Sequence, residues 1–167
     1  GTQLVHWPQG LVDGLVHAGF QVIRFDNRDA GKSTWLKHLG VPKVWPIAFR
    51  SAMGRPPNSP YTLQDMAGDA VGVLDALGLS SAHVVGASMG GMVAQNVAIH
   101  HPQRVRSLTS IMSTTGERYF PQPHALAALL GPSPKNKEEA VERGVEIFQA
   151  IGSPGFTRDR ETMVAMF

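Results

Sequence analysis

The sequence predicts a parallel α/β fold, and three observations carry that reading. Short runs rich in Val, Ile and aromatic residues alternate with segments whose apolar residues recur at helical spacing, the pattern of strands joined by crossover helices. Glycine or proline falls at most of the joints between them, at Gly19, Gly78 and Pro102, where a left-handed stop or a missing N–H ends a helix. The pattern G-x-S-x-G, Gly86 to Gly90, stands where a strand run ends and a helical run begins, a sharp strand-to-helix turn.

Taken in order, Pro8 suits the first turn of a helix in which Leu11, Val12, Leu15 and Val16 recur at helical spacing until Gly19. FQVIRFD follows as a buried strand over 20–25, ending at Asp26 in the polar turn DNRDAGKS. Between Thr34 and Tyr61 five prolines and two tryptophans describe a long surface loop. Thr62 and Asp65 form a capping-box pattern opening the helix TLQDMAGDAVGVLDAL, with Leu63, Met66, Ala70, Val71, Leu74 and Leu77 as its buried stripe. AHVVGA reads as a strand buried on both faces, MGGMVAQNVAIHH as a helix stopped by Pro102, and VRSLTSIM as a third strand. Beyond Gly116 no further strand is expected, and helices are placed at roughly 123–130, 135–151 and 157–167. The middle one sets Ala140, Val141, Val145, Phe148 and Ile151 opposite a charged face that runs from Lys135 to Glu146.

Bulk composition narrows the function. The 167 residues are 43% hydrophobic and 17% charged, the balance of an ordinary globular domain. A net charge of +2 with scattered Lys and Arg argues against nucleic-acid binding. Without cysteine there is no disulfide framework or thiolate chemistry, and no metal-ligand spacing occurs, so neither a metal nor a cofactor is expected. No apolar run approaches the roughly 18 residues of a membrane span and no signal-peptide pattern is seen, so the expectation is a cytoplasmic protein with no membrane partner.

The chemistry concentrates in GASMGG, Gly86 to Gly91. A nucleophile on such a turn is lifted clear of the sheet, and a side chain at Gly86 or Gly90 is expected to collide across it, while Gly91 permits close packing of helix on strand. Ser88 is therefore the candidate nucleophile. The backbone N–H of Met89, at a helix N-terminus, is the candidate oxyanion donor. The competing reading is a Gly-rich turn that serves packing or a phosphate, but neither G-x-x-x-x-G-K-[ST] nor G-x-G-x-x-G is present.

A serine hydroxyl needs a base and a group to orient it. Of seven histidines, His17, His100 and His101 fall at helix C-termini, His83 lies near the start of a strand, and His6 and His38 are read as surface residues. The only acid-then-histidine order after Ser88 is Glu117 followed by His124. Asp26, Asn27, Arg28 and Asp29 read as a turn pinned by side-chain hydrogen bonds and an Arg–carboxylate pair in preference to a metal or acid–base cluster. Trp35, Trp45 and Phe49 either line an apolar entrance or anchor the loop.

DNRDAGKS, YTLQDMAGDAVGVLDALG, AHVVGASMGGMVAQ and the HPQRV step resemble the α/β-hydrolase superfamily over residues 1–116. Within it the chain is most similar to the serine esterase branch that includes aclacinomycin methylesterase-like proteins. The resemblance implies an α/β-hydrolase fold, incomplete in this chain, with a partial core at 1–116 and the beginning of a helical cap at 117–167. It also implies Ser88 as nucleophile, Met89 as oxyanion donor, a small organic ester as substrate, and no cofactor. The family triad runs Ser, acid, His, yet no HGxxD-like acid turn or late GHxx-like histidine occurs. The strand expected between 20–25 and 82–87 is also missing. The expectation is thus that a missing segment or a second chain completes the sheet and supplies the histidine, the acid and the second oxyanion donor. The alternatives are a catalytically incomplete fragment or binding module that keeps the elbow, and a C–C hydrolase or haloperoxidase-like relative on the same scaffold.

Overall fold

The computed structural model describes residues 3–40, 59–116, 122–132, 134–153, 155 and 159–164. The chain divides into two compact units, Gly1–Leu4 with Ile23–Glu117, and Val5–Val22 with Arg118–Phe167.

In the first unit, helix α2 spans Leu63–Ala76, strand β1 Ala82–Ala87, helix α3 Met89–His100 and strand β2 Val105–Ile111. Strands β1 and β2 pair in parallel, from Ala82 opposite Val105 to Ala87 opposite Ile111, and α3 is the crossover between them. Helix α3 is apolar around most of its circumference because it is packed on two sides, against both strands and against α2. Met66, Ala67 and Val71 of α2 meet Val93 and Val97 of α3 to form the core, with Leu63, Met89 and Val105 at its margin.

The local signals in the sequence have their physical counterparts. The Thr62 hydroxyl accepts the Asp65 N–H at 3.2 Å and the Asp65 carboxylate accepts the Thr62 N–H at 2.7 Å, a complete capping box. These bonds hold the Asp65 carboxyl below its usual range, the Thr62 backbone N–H contributing most. Gly78 stops α2 in the left-handed region at φ +67°, donating to the Asp75 carbonyl. Arg104, in the 3-10 turn Pro102–Arg104 that leads into β2, donates to the Leu79 and Ser80 carbonyls and pairs with Asp75 at 2.6 Å. This arginine ties the start of β2 to the end of α2.

Three expectations are corrected. The segment 20–25 is not a strand: among the described residues its backbone joins no ladder, and the sheet has two strands, not three. Its residues have strand propensity, but a strand exists only when a neighbour supplies ladder hydrogen bonds. The sheet is not buried on both faces, since Val85 and Ile111 stay exposed on the face away from α3, and Leu108, on the face that α3 packs against, is exposed as well. In α2 the buried stripe is Met66, Ala67, Val71 and Leu74, and Leu77 is exposed beyond the last turn.

The second unit is helical among its described residues. Helix α1, Gln9–His17, starts directly after Pro8, which serves as its N-cap and not as a first-turn residue, and Gly19 at φ +87° ends it. Val12 and Leu15 are half-buried, whereas Leu11 and Val16 are exposed. Helix α4 spans Pro123–Leu130, α5 Lys137–Ile151 and α6 Arg160–Val164, and α5 packs against both α4 and α6. The Asn136 side chain caps α5 by accepting the Glu139 N–H at 2.8 Å. Val145 is the fully buried residue of α5, with Val141 and Phe148 half-buried beside it, while Ala140 and Ile151 are exposed. Residues 135–140 and Glu142 are exposed, as expected of a charged face, and Arg160 pairs there with Glu142. Arg143 departs from it, half-buried and donating to the Ala128 carbonyl of α4 at 2.5 Å.

Candidate active site

The elbow is built by β1 ending and α3 beginning within one residue. Ser88, the residue between them, has φ +54° and ψ −123°, a conformation that non-glycine residues adopt only at a cost of about 1–3 kcal/mol when the surroundings impose it. Those surroundings are identifiable. The Ser88 N–H donates to the Ile111 carbonyl at 2.9 Å, extending the β1–β2 pairing by one residue, and the Ser88 carbonyl accepts the Gly91 N–H at 2.9 Å and the Met92 N–H at 3.3 Å. The serine is thus clamped between the last sheet bond and the first helical bonds. Its side chain caps no backbone N–H of α3, and the residue is exposed.

The glycines divide by role. A Cβ on Gly86 would lie 2.1 Å from the Gly90 carbonyl oxygen, and one on Gly91 would lie 2.6 Å from Ser113 Cβ and 2.8 Å from Ser110 Oγ. Both positions demand a hydrogen atom. Gly90 does not, because no described atom lies within 4 Å of a Cβ placed there. The expectation that Gly90 is required sterically is therefore corrected: the collision across the turn is with its carbonyl and arises from Gly86.

Met89 is the first residue of α3, so its N–H has no intrahelical acceptor and stands at the positive end of the helix dipole. Its side chain packs at the margin of the core. Such an arrangement can present a hydroxyl and one donor to a carbonyl.

Within the Ser88 unit, His100 and His101 lie at the far end of α3, about 18 Å away along a helix of 12 residues. His83 Nδ1 lies 2.7 Å from Ser107 Oγ. Neither supplies the serine with a base. His124 is an exposed residue of α4 in the other unit, and Glu117, Trp45 and Phe49 lie outside the described residues.

The turn after residue 25 is a pinned one. The buried Asp26 carboxylate accepts the Leu4 N–H at 2.7 Å and the Lys32 N–H at 3.0 Å, which hold its carboxyl below the usual range, the Leu4 bond contributing most. Gly31 lets the loop pass this carboxylate, since a Cβ there would lie 2.1 Å from an Asp26 oxygen. Arg28 makes a two-pronged pair with Asp69 of α2 at 2.6 and 2.7 Å and lies 5.2 Å from the centre of the Tyr61 ring. Asp69 holds the guanidinium above its usual pKa, while burial, then Asp29, raise that of the Tyr61 phenol. Asp29 accepts the Leu36 N–H at 2.6 Å, and Trp35 Nε1 donates to the Gly31 carbonyl at 3.0 Å. All these groups are occupied by one another. A cavity of about 330 Å³ between this turn and α2 is lined by Phe25, Arg28, Asp69 and Val73 among others, and Ser88 is not among its walls. Among the described residues no cluster of three or more His, Asp or Glu is arranged to hold a metal, and no helix is long and apolar enough to cross a membrane.

Sequence reasoning missed the wall behind the elbow. Ser110 of β2 accepts a 3.0 Å hydrogen bond from Gln95 of α3, and the Ser113 hydroxyl is buried without a partner among the described residues. The signal available was a serine pair at the end of the strand following the elbow helix.

These features are those of a strand–serine–helix turn on a parallel sheet, and comparison with known proteins gives the family. The α/β-hydrolase fold family model matches residues 2–145, so the chain belongs to that family. Among curated relatives, rhodomycin D methylesterase of Streptomyces sp. (strain C5) is 35% identical over 106 residues, covering 64% of this chain and 30% of the relative. A putative carbamate hydrolase of Caulobacter segnis is 36% identical over 118 residues, covering 61% and 44%. The 2-hydroxymuconate semialdehyde hydrolase of Pseudomonas sp. (strain CF600) is 36% identical over 129 residues, covering 68% and 43%. The match thus spans less than half of each relative. Among solved structures, Est816, an N-acyl homoserine lactone degrading enzyme, superposes with a TM-score of 0.58 at 25% identity, covering 99% of this chain and 54% of that one. A hydrolase from Pseudomonas aeruginosa PA01 superposes with a TM-score of 0.52 at 23% identity, covering 99% and 56%, a likeness of fold.

Proposed function

We propose that these residues carry the nucleophile of a serine hydrolase that cleaves carboxylic esters of small organic molecules. The observation that supports it most directly is Ser88 at φ +54° between β1 and α3, strain that the Ile111 carbonyl and the Gly86 clearance maintain and that packing alone does not require. Relatives that include a methylesterase and a carbamate hydrolase point to acyl chemistry.

In this reading Ser88 Oγ attacks the ester carbonyl carbon while a histidine base takes its proton. The carbonyl oxygen becomes an oxyanion and is met by the Met89 N–H. Collapse expels the alcohol, which leaves with the proton from the histidine, and water then cleaves the acyl–Ser88 bond by the same steps in reverse order. The base and acid come from residues outside Gly1–Phe167, in the family order of serine, acid, histidine. Glu117 and His124 are the alternative pair within it. Residues 117–167 form the beginning of a cap.

The experiment is ester turnover by the native polypeptide that carries these residues, beside its Ser88→Ala variant. We expect a loss on the order of 10³-fold or more, together with loss of fluorophosphonate labelling at Ser88. Equal turnover by both proteins would refute the reading. The relationship to 2-hydroxymuconate semialdehyde hydrolase favours a second one, cleavage of a carbon–carbon bond beside a carbonyl. Preference for a vinylogous diketone over short esters, still dependent on Ser88, would select it.

A further inference from the structure

Beside Ser88 stands a second residue in a left-handed conformation. Met112, the first residue after β2, has φ +41° and is 62% exposed. Its neighbours on both sides are fixed to the elbow. Ile111 pairs with Ala87 and accepts the Ser88 N–H through its carbonyl, while Ser113 turns back behind α3, where it would touch a Cβ on Gly91. The positive φ at Met112 is what allows this reversal, with Ser113 going in and Met112 out. The ladder ends with Ala87 opposite Ile111, and Ser88 and Met112 are the residues that follow directly on the two neighbouring strands. Met89, the other methionine adjoining the serine, packs at the margin of the core. Of the two large apolar residues exposed at this strand end, Ile111 at 38% and Met112 at 62%, Met112 is the more open.

We propose that Met112 is a specificity-determining residue whose thioether forms an apolar wall beside Ser88 and selects substrates with an aromatic group next to the reacting centre. The proposal rests on Ser88 being the nucleophile. Two physical reasons carry it. A non-glycine residue keeps a strained backbone only where its surroundings impose it, and here the turn that seats Ser113 behind α3 holds Met112 in a fixed, exposed position next to the elbow. A thioether is polarizable and conforms to the face or edge of an aromatic ring, giving favourable sulfur–ring contacts that short alkyl groups cannot return.

The test is the rate at which Ser88 of the native polypeptide is phosphonylated by phenylphosphonofluoridate and by methylphosphonofluoridate O-ethyl esters, read by intact mass. In each reaction the Ser88 Oγ–P bond forms, the P–F bond breaks, fluoride leaves, and the hydroxyl proton passes to the base. We expect Met112→Ala and Met112→Gly each to lower the phenyl rate about tenfold and the methyl rate less than twofold, and Met112→Leu, which keeps the apolar area, to retain most of the phenyl preference. The glycine variant also releases the backbone. If alanine slows both probes alike and glycine restores both, Met112 acts through its backbone and the proposal fails. If no variant changes the phenyl-to-methyl ratio it fails as well, with Ser88 still the nucleophile. Absence of Ser88 labelling in the unaltered protein would overturn the nucleophile reading itself, and this inference with it.

Discussion

Gly86 and Gly90 meet across the elbow so closely that a Cβ on the first would lie 2.1 Å from the carbonyl oxygen of the second. The relationship is one-sided, because a Cβ on Gly90 meets nothing described within 4 Å. The two glycines of one motif therefore predict opposite outcomes. Gly86→Ala should destabilise the protein by about 1–3 kcal/mol, the cost of overpacking, and displace Ser88. Gly90→Ala should be neutral or stabilising by up to about 1 kcal/mol, through the higher helix propensity of alanine. Urea unfolding of the two variants separates these outcomes, and equal losses would show that the elbow is not held by this contact.

The core is judged by contrast along α3. Val97 is 2% exposed between α2 and the sheet, and Ile99, two residues on, is 68% exposed. Removing two methyl groups at Val97 by substitution with alanine should cost about 2 kcal/mol, from lost burial plus a cavity. Ile99→Ala should cost less than about 0.5 kcal/mol. Thermal denaturation gives both values.

Arg28 and Asp69 tie the turn after residue 25 to α2 with two bonds of 2.6 and 2.7 Å. The carboxylate side chain is 40% exposed, so solvent screens the pair despite its geometry. A double-mutant cycle with Arg28→Met and Asp69→Asn should yield a coupling of about 0.5–1 kcal/mol. A coupling of several kcal/mol would show that the pair is desolvated in solution.

Asp26 gives the protein a dependence on acid. Its folded pKa is depressed, first by the Leu4 N–H and then by the Lys32 N–H, so its stabilising contribution is complete above the unfolded value near about 3.9 and is lost as pH falls through the lower folded one. Asp26→Asn should weaken folding at neutral pH and flatten the decline of stability below about pH 4. Circular dichroism across an acid titration of both proteins reads the slope, and parallel profiles would exclude Asp26 as its source.

Helix capping gives a fifth outcome. Thr62→Ala removes the acceptor of the Asp65 N–H and should cost about 1 kcal/mol. Thr62→Ser should restore most of it, which a urea midpoint resolves.

The sequence by itself determined the helices, the strand–serine–helix turn and the pinned turn after Asp26, since each is written in neighbours a few residues apart: Thr62 with Asp65, Gly78 after α2, Gly86 before Ser88. What tertiary structure decided depended on partners distant in the chain. Residues 20–25 have strand composition without a ladder, because hydrogen bonds to a neighbouring strand, not propensity, make a strand. The arginine partner Asp69, 41 residues from Arg28, could not be chosen from among several acids by spacing. The same holds at the site: the motif marks Ser88, but only the return of β2 brings the Ile111 carbonyl onto its N–H, seats Ser113 behind Gly91 and leaves Met112 exposed beside it. Local pattern fixes which backbone is strained, and packing between elements fixes what holds it and what stands next to it.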